Sequence, residues 1–384
     1  MARLGDIATV ITKGTTPTSI GFAFQDEGIN FVKIESVDEN GNFICEKFDH
    51  ISDECHEKLK RSQLQEKDIL FSIAGAIGRT AIVTKDILPA NTNQALAIIR
   101  IPQGAINYSF LLYILQSSVI LEQAEKKKQG VAQLNLSLKD IGDFIIPDIP
   151  LEEQQCIVDS LDKVSNLIFL RKQQLSKLDE LAKSRFIELF GDGESPIKTV
   201  EELCTAIVDC PHTTPKYEGE LKNPAIRTAE IKKGYIAWET MRYVSDEEYE
   251  ERIARLKPEA GDIVYGREGT FGNAAILPEG YNFCLGQRVM LLRPDYSQCT
   301  SEYLLYAVIS DDVYRQATEK NNASTVAHVN VKDVKQFKIP LPSFDKQNQF
   351  VTFVEQTDKS KLSIQQSLEK LETLKKALMQ KYFG

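Results

Sequence analysis

The sequence predicts an α+β protein built twice over: two tandem β-rich domains, each followed by a long helix, the two helices forming an antiparallel coiled coil with pseudo-two-fold symmetry. Three observations predict it. Motifs of the first half return in the same order in the second half at a near-constant offset. The stretches between them are short β-rich runs broken by Gly, Pro and Asn. Each half then closes with a heptad-spaced apolar segment that ends at a Phe-Gly pair.

The repeat organises everything else. Lys67-Asp68-Ile69-Leu70 with the turn Gly75-Ala76-Ile77-Gly78 matches Gly261-Asp262-Ile263-Val264 with Gly269-Thr270-Phe271-Gly272, Asp68 and Asp262 lying 194 positions apart. Gln94 and Gln287 each precede an apolar run, Ala95 to Ile99 and Val289 to Leu292. Leu136-Ser137-Leu138-Lys139-Asp140-Ile141 matches Val329-Asn330-Val331-Lys332-Asp333-Val334, now 193 positions apart. The register holds through Pro147 and Pro340 to Phe190-Gly191 and Phe383-Gly384, and weaker similarity pairs Thr15-Thr16-Pro17 with Thr213-Thr214-Pro215. The predicted boundaries are a globular domain over 1–150, a helix over 151–191, a second domain over 192–342 and a second helix over 343–384.

Within the first globular copy, strands are expected at 68–73, 80–83 and 94–101; within the second, at 262–265, 274–277 and 288–292. One helix interrupts the strands in each copy, at 109–126 and 301–318, where apolar residues fall at helical spacing with few breakers. The segments after Pro150 and Pro342 differ in kind. Ile157, Leu161, Val164, Ile168, Leu175, Leu178, Ala182 and Leu189 alternate at intervals of four and three, interrupted by Arg171 and Arg185. The second stripe comprises Val354, Ile364, Leu368, Leu371, Leu378 and Tyr382, weakened at Thr357 and Lys361. Glu152, Glu153 and Asp345 stand where acidic side chains complement a helix N-terminus. Each helix would be a rod of roughly 55 Å. Neither can bury its stripe alone, so the two are expected to pack on each other, the competing arrangement being each helix against its own domain.

The composition limits the function. Hydrophobic residues make up 42% and charged residues 26%, as in ordinary soluble proteins, and no apolar run approaches the roughly 20 residues of a membrane span. With no basic-then-apolar leader at Met1-Ala2-Arg3-Leu4 and seven scattered cysteines, a reducing, cytoplasmic setting is expected, with no membrane partner. A net charge of −9 runs against the simplest picture of a nucleic-acid binder, although it says little about local patches. Catalytic constellations are missing: there is no Asn/Asp-Pro-Pro-Tyr/Phe motif, and the Gly turns lack the Lys-Ser/Thr of a phosphate-binding loop, so they read as tight turns between strands. Cys204, Cys210 and His212 have loose metal-like spacing but no CxxC pair, and no metal site is assigned. The acidic run Asp246 to Glu251 reads as a solvated helix face.

Taken together, these residues resemble the specificity subunit of type I restriction-modification enzymes across nearly the whole chain. The carriers are Leu4-Gly5-Asp6-Ile7 with Lys13-Gly14-Thr15-Thr16-Pro17-Thr18-Ser19, Lys67 to Ser72 with its Gly turn, and the junctions Ile146-Pro147-Asp148-Ile149-Pro150-Leu151-Glu152-Glu153-Gln154 and Ile339-Pro340-Leu341-Pro342-Ser343-Phe344-Asp345-Lys346-Gln347. The first junction departs by one residue from the usual Pro-x-Pro, and the second has Asp-Lys-Gln where Glu-Glu-Gln is common.

The resemblance implies two target recognition domains, each contacting half of an asymmetric bipartite sequence in double-stranded DNA, with the helices fixing the spacer. A rod of about 55 Å exceeds one helical turn of DNA, about 34 to 36 Å. It also implies a chain with no catalytic site or cofactor of its own. S-adenosylmethionine, Mg and ATP would be used by partners, two modification subunits and the restriction subunits.

Polar side chains on Gly/Pro-rich loops are the candidate DNA contacts, because they can hydrogen-bond base edges. In the first domain they are Lys13, Thr15, Thr16, Lys33, Arg79, Asn91, Asn93 and Gln129; in the second, His212, Thr213, Lys216, Arg227, Arg267, Asn273, Arg288 and Asn322. Lys33 and Arg227 occupy matched positions and could instead do shared structural work. Two alternatives stay open at this point: a specificity subunit of a type II system cutting on both sides of its site, and a coiled-coil scaffold whose domains bind protein.

Overall fold

The structure, a computed structural model, describes residues 1–127, 135–191, 193–218, 222–268, 272–319 and 329–384. It comprises two compact units, Met1–Arg171 with Ser367–Gly384, and Lys172–Gln366. The first unit contains, in order, β1 (Ala2–Arg3), α1 (Leu4–Ile7), β2 (Val10–Lys13), β3 (Ile29–Val32), β4 (Asp49–Ile51), α2 (Asp53–Lys58), β5 (Ile69–Ser72), β6 (Thr80–Ile82), β7 (Ala90–Thr92), β8 (Leu96–Arg100), α3 (Tyr108–Leu115), α4 (Ser118–Lys127), α5 (Leu138–Gly142), β9 (Ile145–Ile146) and the opening half of α6 (Leu151–Phe190). The second contains the rest of α6, then β10 (Ile197–Thr199), β11 (Cys204–Asp209), β12 (Asn223–Ile226), β13 (Arg242–Val244), α7 (Asp246–Ile253), β14 (Ile263–Gly266), β15 (Ala274–Ile276), β16 (Cys284–Leu285), β17 (Val289–Pro294), α8 (Ser301–Val308), α9 (Asp311–Glu319), α10 (Val331–Lys335), β18 (Lys338–Pro340) and the opening half of α11 (Phe344–Phe383).

Both units share one topology. A four-stranded antiparallel sheet, β2-β8-β5-β6 or β11-β17-β14-β15, faces a three-stranded sheet, β4-β3-β7 or β13-β12-β16, in which β3 pairs with β7, and β12 with β16, in parallel. The inner strands of the larger sheet, β5 and β8 or β14 and β17, are buried at nearly every position because both of their faces are covered. Ile69, Phe71, Ala97 and Ile99 point into a core under α3 and α4, while their alternates Leu70, Ala81, Leu96 and Ile98 join Val32 and Ala90 between the sheets. The second unit repeats this with Ile263, Tyr265, Met290 and Leu292 on one face and Val264, Ala275, Val289 and Leu291 on the other. The Gly turn is the β5–β6 hairpin, and Gly78 there has φ 92°; a Cβ would meet Leu121 Cδ2 at 2.3 Å.

Each predicted single helix is in fact two. The run 109–126 breaks between α3 and α4 at Gln116 and Ser117, and 301–318 breaks between α8 and α9 at Ile309 and Ser310. The Ser310 hydroxyl accepts from the Val313 N–H at 3.3 Å and so starts a new helix, a local polar bond that competes with continuation.

Two buried polar locks recur at matched positions. Arg100 donates Nε and Nη2 to Asp68 at 2.7 and 2.6 Å, and the Gln65 N–H completes the carboxylate; Arg293 does the same to Asp262 at 2.8 and 2.8 Å, with the Glu259 N–H. These carboxylates are the Asp of the repeated motif. The second lock is the junction glutamine. Gln154 accepts from the Asn107 N–H at 2.8 Å and donates to the Ile149 carbonyl at 2.8 Å. Gln347 accepts from the Thr300 N–H at 3.0 Å and donates to the carbonyls of Pro342 and Gln298 at 3.0 and 3.1 Å. Each amide ties the entry of a long helix to the start of a domain helix and to the proline-rich segment before it.

α6 and α11 contact each other, and each unit contains the start of one and the end of the other, so the pair is antiparallel. In the first unit Ile157, Leu161, Leu378 and Phe383 share the core beneath α3, with Phe383 against Phe110 at 5.5 Å. Tyr113 donates to Asp162 at 2.6 Å, and burial with that bond pushes its hydroxyl up to about 12. In the second unit Phe186 and Phe190 both pack on Phe350, at 5.4 and 5.5 Å, and Phe190 meets Tyr303, the counterpart of Phe110, at 5.0 Å. Along the stripes, Ile157, Leu161, Val164 and Leu368 are buried, while Ile168, Leu175, Leu178, Ile364, Leu371 and Leu378 are half-buried. The polar interruptions have partners: Thr357 donates to the Phe353 carbonyl, and Lys361 pairs with Asp179 at 2.6 Å.

All seven cysteines are free, and no helix among the described residues is long and apolar enough to cross a membrane. Gln347→Ala strands the Thr300 N–H and two carbonyls, and is expected to lower stability by about 2–4 kcal/mol in urea unfolding. Asn348→Ala, one residue on and exposed, should change it by less than about 0.5 kcal/mol.

Candidate nucleic-acid interface

Strand direction brings one set of loops together in each unit. Antiparallel pairing sets Lys13 opposite Ala97 and Ser72 opposite Leu96, so the exits of β2 and β5 and the entry of β8 share one end of the sheet. The parallel pair β3 and β7 runs toward matched ends, Val32 beside Thr92, releasing Lys33 and Asn93 side by side. Backbone bonds hold the convergence: the Gly14 N–H donates to the Asn93 carbonyl at 3.1 Å, and the Ile73 N–H to the Ala95 carbonyl at 2.9 Å. A Cβ on Gly14 would lie 1.7 Å from the Thr92 carbonyl oxygen, so only glycine allows this approach. In the second unit the corresponding loops begin at Cys210, Arg227, Arg267 and Gly286, and the Arg267 N–H donates to the Arg288 carbonyl at 3.0 Å.

The candidate contacts divide by what their polar atoms already do. Asn91 is withdrawn as a base contact: it is fully buried, donating to the Leu59 carbonyl and Ser62 Oγ at 3.2 and 3.0 Å, with Oδ1 against His56. Arg79 and Asn273 are corrected together. Arg79 donates to the Ile34 and Val37 carbonyls at 3.2 and 2.9 Å, and Asn273 donates to the Ile231 carbonyl at 3.2 Å, the match of Val37. Arg267 is 6% exposed and pairs with Asp209 at 2.8 Å. Lys33 pairs with Asp49 and lies over the Phe24 ring; Arg227 is held by Glu230, which raises its guanidinium above the ordinary value, and lies near the Tyr217 ring. These two matched residues are both engaged within their domains, with different partners.

What faces outward differs between the units. In the first, Lys13 is exposed, and Thr15, Thr16 and Asn93 are half-buried at the loop rim. In the second, His212, Thr213, Lys216 and Arg288 are exposed, and Arg288 adopts φ 62°, rare for a non-glycine residue, with its side chain 3.0 Å from Glu268. Gln129 and Asn322 lie outside the described residues, as do Gly269, Thr270 and Phe271 of the second turn. The candidate set omitted a matched pair that closes both loop clusters: Thr16 donates to Gln94, and Gln287 donates to Thr214 at 2.7 Å. Its signal was present, since Gln94 and Gln287 are themselves repeat landmarks. The acidic run forms most of α7 and is largely exposed, although Asp246 accepts from Asn223 at 2.7 Å. Among the described residues no group of three His, Cys, Asp or Glu side chains could hold a metal ion.

Residues 1–180 and 207–375 match the family described as the type I restriction modification DNA specificity domain. The chain belongs to this family. Among specificity-family relatives, the type I restriction enzyme EcoBI specificity subunit of Escherichia coli is 32% identical over 39% of this chain and 34% of its own length. The putative type I restriction enzyme MjaX specificity subunit of Methanocaldococcus jannaschii is 28% identical over 44% of this chain and 41% of its own. The aligned portion thus spans about a third to two fifths of each of these relatives. The fold is similar over the entire chain to one solved in a study of complex assembly and conformational transition of the type I R-M system (TM-score 0.59, 19% identity, 96% of that chain). It is also similar to the type I restriction-modification system S subunit from M. genitalium (TM-score 0.53, 15% identity, 95% of that chain).

Within this specificity-domain fold, the division between frame and rim is directly measurable. Arg79→Ala takes the side-chain donor from the Val37 carbonyl and leaves the Ile34 carbonyl with the Val37 N–H alone, and should cost about 1–3 kcal/mol in urea unfolding. Lys13→Ala and Lys216→Ala should each stay within about 0.5 kcal/mol.

Proposed function

We propose that this chain is the non-catalytic sequence-recognition subunit of a type I restriction-modification complex, each globular domain reading one half of a bipartite, asymmetric DNA target and the antiparallel helices setting the spacer. The observation that carries the reading is a pair of matched frames bearing different rims: the locks at Asp68 and Asp262, Gln154 and Gln347, Thr16 and Thr214 recur, whereas around the shared Thr15 and Thr213 the exposed side chains Lys13, His212, Lys216 and Arg288 do not. A repeated frame with divergent rims presents two unlike recognition surfaces, which suits an asymmetric target.

The chemistry is assigned to partners. Two modification subunits would transfer methyl groups from S-adenosylmethionine to adenine, and restriction subunits would use ATP and Mg to translocate and cleave. This division accommodates a net charge of −9, because phosphate neutralisation dominates affinity while base-edge contacts confer specificity. The partners can clamp the duplex while this chain selects it.

The test is the map of methylated adenines in cells carrying the chain and its modification partner. One bipartite motif is expected, and exchange of residues 1–150 for those of another family member should change one half-site only; scattered methylation, or change in both halves, would sink the reading. Adding one heptad to α6 lengthens it by about 10 Å, near three base-pair steps of about 3.4 Å, and should alter the spacer while both half-sites persist. The chain alone should bind its target far more weakly than the complex at the same salt concentration, as compared by titration with one labelled duplex.

A further inference from the structure

We infer that Arg252 is the positioning residue of the second recognition domain, holding its two rim loops in the register on which discrimination of that half-site depends. The inference rests on the function proposed above. Arg252 stands in the last turn of α7, its side chain 2% exposed. Its guanidinium fork is fully engaged: Nε donates to Glu248 at 2.7 Å, Nη1 to the Leu285 and Gly286 carbonyls at 3.0 and 3.4 Å, and Nη2 to the Thr213 carbonyl and hydroxyl at 3.0 and 3.3 Å. One planar group therefore joins the loop after β11, which carries His212, Thr213 and Lys216, to the loop after β16, which carries Arg288. Those loops leave different sheets. Glu248 balances the buried charge and orients the fork.

Among the described residues of the first domain no arginine takes the place of Arg252. The N-cap serines Ser52 and Ser245 align α2 with α7 and place Leu59 where Arg252 stands. There the Leu59 carbonyl accepts from Asn91, and the β2 loop is pressed on Asn93 by direct backbone bonding. Perturbing Arg252 should thus be felt at one half-site. Lysine keeps the charge but cannot reproduce a planar five-donor fork that reaches both loops.

The test uses the full chain assembled with its modification subunits, selecting and methylating members of a pool of randomised duplexes, with half-sites assigned by the domain exchange described above. R252K is expected to lower discrimination about 10- to 100-fold, the range of one bidentate base contact, at the half-site read by residues 192–342. The other half-site should be unchanged. Unaltered discrimination at the second half-site overturns the inference, and so does an equal loss at both, the signature of a merely structural role. Should R252K yield no soluble complex, E248Q, which loosens the fork without removing it, is taken through the same selection with the same two outcomes. A wild-type complex that selects no bipartite sequence overturns the proposed function and this inference with it; wild-type selection with R252K unchanged overturns the inference alone.

Discussion

The amides of Gln154 and Gln347 govern how a 40-residue helix leaves a small domain. Each is buried, and each must both accept and donate: the oxygen takes an N–H at the start of α3 or α8, and the nitrogen gives to a carbonyl in the segment just before the long helix. A carboxylate of the same length could accept but not donate, and would bury a charge. With the amide in place, the direction of α6 or α11 is tied to the domain it leaves. The spacer role proposed for the helices depends on that fixed departure.

The far ends of the helices impose a complementary constraint. Phe383 packs against Phe110, in the domain built from the first copy, and Phe190 against Tyr303, in the domain built from the second. The closing aromatic of each core therefore comes from the helix that begins on the other copy. A duplication with this exchange links folding of each domain to formation of the helix pair, because neither apolar stripe nor domain core is complete without the other's helix end.

Most of the fold was legible in the sequence because it is periodic or repeated. Alternating threes and fours marked the helices, and Asp68 with Asp262 marked the frame, although nothing in the motif revealed that an arginine some thirty residues on would be the partner. The breaks at Gln116 and Ser310 were not legible, since Tyr113, Ile120 and Ala124 keep helical phase across the first of them. The rim was harder. Asn91, Arg79 and Arg267 have the polarity and loop setting of surface residues, and composition does not say whether a polar side chain turns outward or back onto an unpaired carbonyl. The repeat held part of that information: Arg79 and Asn273 occupy matched positions and serve matched carbonyls, as a frame residue should.

Divergence between the copies is therefore permitted at some places and blocked at others for physical reasons. Changing a frame residue strands buried donors or carbonyls. Changing a rim residue such as Lys13 or Lys216, exposed in each case, costs little. Between these extremes lie the ties that set rim geometry without touching the solvent, and here the copies have already parted: His56 and Asn91 in one, Arg252 and Glu248 in the other. Each tie is satisfied within its own domain, so the two rims can be reshaped independently while the sheets, the glutamine locks and the helix pair remain as they are.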